Sequence, residues 1–305
     1  MKNVLGNIGK KLKKEDGNVL VMVAVSLVML LGFTALAIDG GRLYFEKSNL
    51  QKALDAAVLA GAQDLLKGET NAKATAIDIA LKNGVTLIND DFDTGPNHIK
   101  ATKTRDKTLF FAKVLGINNA KVNASSKAQL KGGLKKKKGV VPLGIKEDQY
   151  KEGVNYPLKS SESVKGNFGY LDLVGDTRNL KEQIIGGAEL EVSQKFAWTN
   201  PGEKWGQVTQ GFESRISNDN GIEKCQSYET ADDSCQRVII VPLVKEVVLS
   251  GKTQVEIVGF AAFYITRVEN DKGDKIVEGK FIKTYTVGEF GGEEDYGIYK
   301  ASLVE

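Results

Sequence analysis

Hydrophobic and polar positions divide the chain into three textures. Residues 18–38, NVLVMVAVSLVMLLGFTALAI, form an apolar run with no charge and no proline. At 1.5 Å per residue these 21 residues make a helix of about 31 Å, close to the hydrocarbon thickness of a bilayer. From Arg42 the apolar positions thin to a stripe. Leu43, Leu50, Leu54, Ala57, Val58, Gly61 and Leu65 recur at spacings of three and four, which predicts a helix leading on from the apolar run. Ala53, Ala57 and Gly61 stand four apart on one face and let another backbone approach closely. That face suits packing on the chain's own globule or, in the functional reading, docking of a partner helix or a second copy.

Beyond the stripe the pattern shortens. NAKATAIDIALKNG (71–84) reads as a helix stopped at Gly84, NHIKATKTRD (97–106) as a strand, KTLFFAKVLGI (107–117) as a helix, and AKVNASSKAQL (120–130) as a strand. In the third of these, Leu109, Phe110, Val114 and Leu115 are available for a core. KGGLKKKKG (131–139) holds five lysines and predicts an exposed linker. The texture then turns to β, with branched and aromatic runs at 139–145, 188–194, 237–249, 254–269 and 275–288. Val255, Ile257, Gly259, Ala261 and Phe263 fall on one side of their strand, with Ile265 continuing it, and NDKGDK (270–275) reads as a hairpin turn. One short helix is expected at 176–187, capped by Asp176 or Thr177. The fold class is α+β. A transmembrane helix (18–38) follows a basic tail (1–17), and a stem helix with a small α+β unit covers 39–130. The 131–139 linker then leads to a mainly β sandwich or barrel-like domain at 140–305.

Charge adds a direction. Lys2, Lys10, Lys11, Lys13 and Lys14 precede the apolar run, whereas Asp39, Arg42, Glu46 and Lys47 cancel beyond it. The positive-inside rule puts the N-terminus in the cytoplasm and everything after Ile38 outside. Ala35–Ala37 also makes an A-x-A box at which a signal peptidase could cut after Ala37, although the apolar run exceeds the usual secretory h-region. A net charge of +3 gives no reason to expect nucleic acid as a partner.

Composition leans against catalysis. His98 is the single histidine, and Cys225 and Cys235 are the only cysteines, too few for the common metal sites or a histidine-dependent centre. Outside the cytoplasm the two cysteines read as a disulfide. DDFDTGPN (90–97) spaces Asp91 and Asp93 as a calcium loop would begin, but Thr102 stands where its closing glutamate belongs, so a turn is the better reading. Asp172, Asp176, Glu293, Glu294 and Asp295 read as solvated charge. There is no G-x-S-x-G and no P-loop, and no catalytic residue, metal or cofactor is assigned. The glycine-punctuated segments GNFGYLDL (166–173) and TNPGEKWGQVTQGFESRI (199–216) read as turns. Their aromatics, Phe168, Tyr170, Trp198, Trp205 and Phe212, either cover a core or form a partner- or glycan-binding surface.

The stretch from Gly17 to Leu65 resembles the N-terminal signature of TadE/TadG-like proteins of the Flp (tight adherence) pilus assembly system. The matching residues are Ala37, Ile38, Asp39, Gly41, Arg42 and Tyr44 at the membrane exit, then Leu50, Gln51, Ala53, Asp55, Ala56, Ala57, Leu59, Ala60, Gly61 and Ala62 on the helix. Segments 166–173 and 199–216 also resemble parts of these proteins' exported domains. The resemblance implies a membrane-anchored structural component of a pilus or secretion apparatus, with other assembly proteins and the lipid bilayer as partners. Pilins of this system are cut after a glycine and carry a glutamate five residues on. Here Gly17 is followed at that distance by Met22, which fits the unprocessed TadG-like branch better than a minor pilin. The alternative function is a tethered, exported carbohydrate-binding or cell-wall-acting module.

Overall fold

In a computed structural model of the chain, the structure describes residues 16–160, 169–172, 178–193, 195–199, 205–245, 254–271 and 274–304. The first element is one uninterrupted helix, α1 (Asp16–Asp64), whose 49 residues extend about 73 Å. It runs through Asp39-Gly40-Gly41 without a break. From Val19 to Leu36 its large apolar side chains are exposed, and the helix is long and apolar enough to cross a membrane. The overall class is α+β.

The second half of α1 is a core helix. Leu50, Ala53, Leu54, Ala57, Val58 and Ala62, with Leu65 of the 3-10 turn that follows, are buried against α2 (Glu69–Lys82), which contributes Ala72, Ala76 and Ala80. Both helices cover one face of a five-stranded sheet in the order β1 (Phe92–Gly95), β2 (His98–Thr108), β3 (Asn119–Lys131), β15 (Ile298–Leu303) and β13 (Thr284–Tyr285). Strand periodicity explains the fit. Val122, Ala124, Ala128 and Leu130 of β3 alternate onto the helix face, as do Ile99 and Ala101 of β2. The last strand thus returns to the first sheet, pairing Lys300–Leu303 with Ala128–Lys131.

The remaining strands form a mixed sheet ordered β14 (Glu289–Phe290), β4 (Leu134–Val140), β10 (Val238–Val244), β5 (Leu143–Lys146), β7 (Gly169–Asp172), β9 (Lys195–Thr199), β11 (Gln254–Asp271), β12 (Asp274–Ile282) and β6 (Asn155–Ser160). β8 (Ala188–Glu191) pairs with β4, and β10 also pairs with β11, so this sheet curls back on itself. Both faces are apolar. β10 is buried along its whole length, which is why it reads as a continuous hydrophobic run. Its Ile239, Val241 and Leu243 meet α3 (Leu180–Gly186) and α4 (Trp205–Asn218) in one core, while Val238, Ile240 and Val244 join a second core with the two cysteines.

Four expectations are corrected here. Where a linker is expected at 131–139, Lys131 ends β3 and Leu134–Val140 form strand β4: Leu134 and Val140 are buried, and acids opposite pair with Lys135, Lys136 and Lys138, with Lys136 Nζ 3.1 Å from Glu189 Oε1. Residues 107–117 form the end of β2 and a short 3-10 turn, Ala112–Leu115, where a core helix is expected. Leu109 is buried but Phe110 and Val114 are exposed. The short helix starts at Leu180 with Asn179 as its N-cap; Asp176 and Thr177 lie outside the described residues. On β11 the predicted single face splits. Val255 and Ile257 share the second core with Phe260, Ala262 and Tyr264, while Ala261, Phe263 and Ile265 point into the first. A register shift opposite Leu243/Val244 inserts one residue and reverses the alternation.

Segment 199–216 is corrected as well, because most of it is helix α4. Phe212 is fully buried, and Arg215 beneath it ties the layers together. Its Nε donates to Ile184 O (2.7 Å) and its Nη2 to Ile185 O (3.0 Å), capping the last turn of α3, and Nη1 donates to Gln236 O (2.9 Å). Burial pushes this guanidinium down to about 10, with Asp219 opposing the shift, so it stays charged at neutral pH. Arg215→Met removes three charge-assisted hydrogen bonds from a buried position and should cost about 3 kcal/mol in a denaturant melt. An unchanged midpoint would reject this account of how α3 and α4 are joined.

Candidate functional site: the helix exit and the hairpin tip

Asp39 leaves the apolar run carrying a charge, yet it is 5% exposed. Its partner comes from the tip of the β2–β3 hairpin. Oδ1 accepts the backbone N–H of Phe110, and Oδ2 accepts those of Phe111 and Ala112, each at 2.9 Å. Three converging donors satisfy the carboxylate without a cation at the same place. Led by the Ala112 N–H, they hold the carboxyl below its ordinary value against the opposing effect of burial, and Arg42 adds a smaller attraction. The tip can offer these groups because the 3-10 turn Ala112–Leu115 leaves the N–H groups at its start without intrahelical partners. Gly116, at φ +84°, closes the turn in a conformation that side chains rarely adopt.

A second ring of contacts surrounds this anchor. The Arg42 guanidinium stacks over the Phe110 ring at 3.8 Å. Glu46, about two turns along α1 from Asp39, pairs with Arg105 Nη1 (3.1 Å) and Lys107 Nζ (3.0 Å) of β2. Burial works against the Glu46 carboxylate, but these bonds outweigh it and its carboxyl is lowered. Arg105 Nη2 also donates to Gly84 O (2.9 Å). The exit segment of α1 is therefore clamped to the hairpin at two levels, Asp39 and Glu46.

The other predicted positions are distributed as follows. Tyr44 is 77% exposed, and Gly41 has open space around it. Gly17 lies in the first turn of α1. Of the two readings of the small-residue face, packing within the chain is the one seen: Ala53 and Ala57 are buried, and a Cβ on Gly61 would stand 2.8 Å from Ala72 O and 3.0 Å from Ile99 Cδ1. The chain's own α2 and β2 occupy the space reserved for a partner. Cys225 and Cys235 form a disulfide with Cα atoms 5.5 Å apart. Closing an eleven-residue loop restricts the unfolded chain by about 3 kcal/mol. Asp91 is engaged internally, accepting from Lys103 Nζ (2.7 Å) and Ile88 N (2.8 Å). Of the aromatics offered for a glycan surface, Phe212 is core and Phe168 lies outside the described residues.

The hairpin tip is what the hydrophobic pattern conceals. Its signal is LFFAKVLG, an apolar run between two strands with glycine at its end. The run reads as a core helix, whereas it is a tip held at the point where α1 leaves its apolar half.

Comparison with known proteins falls on this same helix. Residues 17–64 match a family model described as "Putative Flp pilus-assembly TadE/G-like". The match covers this one helix and no more of the chain. Its bounds coincide with α1, Asp16–Asp64, to within a residue, and Asp39 stands near its middle. No curated protein and no solved structure gives a significant match to the chain. The matched helix carries both halves of the arrangement described above, the exposed apolar half and the half buried in the α2–sheet core.

Proposed function

We propose that the chain is a membrane-anchored, exported structural component of a Tad/Flp-type pilus or secretion apparatus, of the unprocessed TadG-like kind. One observation carries this reading: the TadE/G-like match covers a helix long and apolar enough to cross a membrane. The five lysines before the apolar run support a cytoplasmic N-terminus, with residues after Ile38 outside; the length of the apolar run supports a retained anchor, and Met22 in place of a glutamate supports an N-terminus left uncut after Gly17. The role is non-enzymatic and uses no cofactor. Its partners are the bilayer and other Tad components, with no nucleic acid among them. Since the Ala53–Ala57–Gly61 face is filled, contact with those components falls to the exposed apolar half of α1, where a photo-crosslinking residue at Val23 or Leu27 would sit.

The test is deletion of the gene in its native cell, followed by counting of surface filaments and recovery of Val23 crosslinks from the complemented strain. The reading predicts loss of filaments or of the secreted substrate, and crosslinks to other assembly subunits. Intact filaments and secretion in the deletion strain would refute it.

A further inference from the structure

We infer that the β2–β3 hairpin tip, Leu109–Ile117, dips into the outer leaflet of the bilayer beside α1, with phospholipid acyl chains as its occupant. This rests on the membrane-spanning reading of α1.

The tip is built for apolar surroundings. Phe110, Phe111, Val114 and Ile117 are 59%, 45%, 87% and 53% exposed, an apolar patch at the end of a hairpin whose strands bury Ile99, Ala101, Val122 and Ala124 against the helices. It does not point away from the apolar helix. A cleft of about 550 Å³ separates them, lined by Val28, Leu31, Phe33 and Leu36 of α1 and by Phe111 and Val114 of the tip. Val28 lies eleven residues before Asp39, or about 16 Å along the axis, and half a hydrocarbon core is about 15 Å. With Ile38 at the outer edge of the hydrocarbon, the α1 wall of this cleft spans the outer leaflet, and Phe111 and Val114 face it from the other side.

The polar groups around the tip point to lipid. Lys47 and Lys113, both exposed, stand near the exit and on the tip, where their stems can follow apolar surface and their charges can reach anionic headgroups. Tyr44 and Phe45, 77% and 66% exposed, lie at the same level as an interfacial aromatic pair. The backbone N–H groups at the start of the tip, which hydrocarbon would leave unsatisfied, are those that Asp39 accepts. That accounts for an acid at the end of a membrane-length apolar run: it supplies acceptors that the lipid cannot.

Nitroxide labels at Val114→Cys, Leu31→Cys and Val287→Cys in the full chain, reconstituted in vesicles of zwitterionic and anionic phospholipid, test this. The native cysteines are joined to each other and do not react without reductant. Relaxation by oxygen should dominate at positions 31 and 114, and relaxation by a water-soluble nickel complex at 287, an 86% exposed control far along the chain. Lipid-like accessibility at 31 with water-like accessibility at 114 overturns the proposal alone. Shielding of 114 from both agents, with 31 lipid-like, also overturns it by putting a protein chain over the tip. Water-like accessibility at 31 brings down the membrane-spanning reading and this proposal with it.

Discussion

Gly61→Leu should collapse the packing of α1 on α2, lowering stability by about 3 kcal/mol or more. The position has no room: a Cβ alone would sit 2.8 Å from a backbone oxygen, Ala72 O, which cannot swing away, and 3.1 Å from Ala76 Cβ. The rest of a leucine side chain must displace α2 from α1 or α1 from the sheet, and Leu54, Val58 and Ile99 lose contacts either way. Gly61→Ala is milder, since the helix gains about 1 kcal/mol from replacing glycine while the clash costs about 1–3. The order of thermal midpoints should therefore be wild type, then alanine, then leucine. The leucine variant should fall by roughly 6–12 °C if its loss is near 3 kcal/mol. The measurement is a melt of the full chain in detergent or vesicles, followed by a signal from the soluble half. A leucine variant that melts normally but loses partner subunits would reinstate the stripe as a docking face.

What the sequence discloses, and what it withholds, follows from the range of the interactions involved. Period 3.6 along Leu50–Leu65 and period 2 along β3 are local properties of one element, so the residues alone display both. The partner of a face is a non-local property. Ala53, Ala57 and Gly61 announce close approach by some backbone, and only the fold names it as α2. The lysines of β4 look like a linker because their neutralising acids, Glu189 and Glu191, lie about fifty residues away on β8. Helix α4 is hidden by Gly206 and Gly211, which read as turns. Gly211 is there for another reason, since a Cβ would meet Ile184 Cγ2 at 2.9 Å where α3 crosses. Val208, Phe212 and Arg215, at spacings of four and three, are the helical signal that the glycines mask.

The exit site is half legible. Asp39 stands out as a charge ending an apolar run, and the family resemblance draws attention to it. Its ligands do not stand out, because three backbone N–H groups seventy-odd residues away leave no trace in side-chain chemistry. The apolar residues of the tip are visible, yet their pattern suits a core equally well. Hydrophobic periodicity reports that a surface avoids water and is silent on whether protein or lipid covers it.

Asp39→Ala should free the hairpin tip while leaving both sheets folded. The substitution deletes the acceptors of three N–H groups, and neither Arg42 over the Phe110 ring nor the Glu46 pairs can replace them, because they hold side chains and not the tip's backbone. Backbone amide exchange at Phe110, Phe111 and Ala112 should accelerate by about tenfold or more, with β3 and β11 unchanged. Asp39→Asn keeps one acceptor oxygen and loses the charge, so it should lie between wild type and alanine. The same bonds set the pH dependence. The carboxyl is depressed in the folded state, so the contact is present in full above the ordinary aspartate value of 3.8 and is lost only as pH falls through the lower folded value. Protection at the three amides, corrected for the intrinsic exchange rate, should be flat between about pH 5 and pH 8 in wild type. A loss of protection within that range would mean that a different group holds the tip. If the alanine variant exchanged like wild type, the backbone of the turn would be self-supporting, and Asp39 would mark the membrane exit without building it.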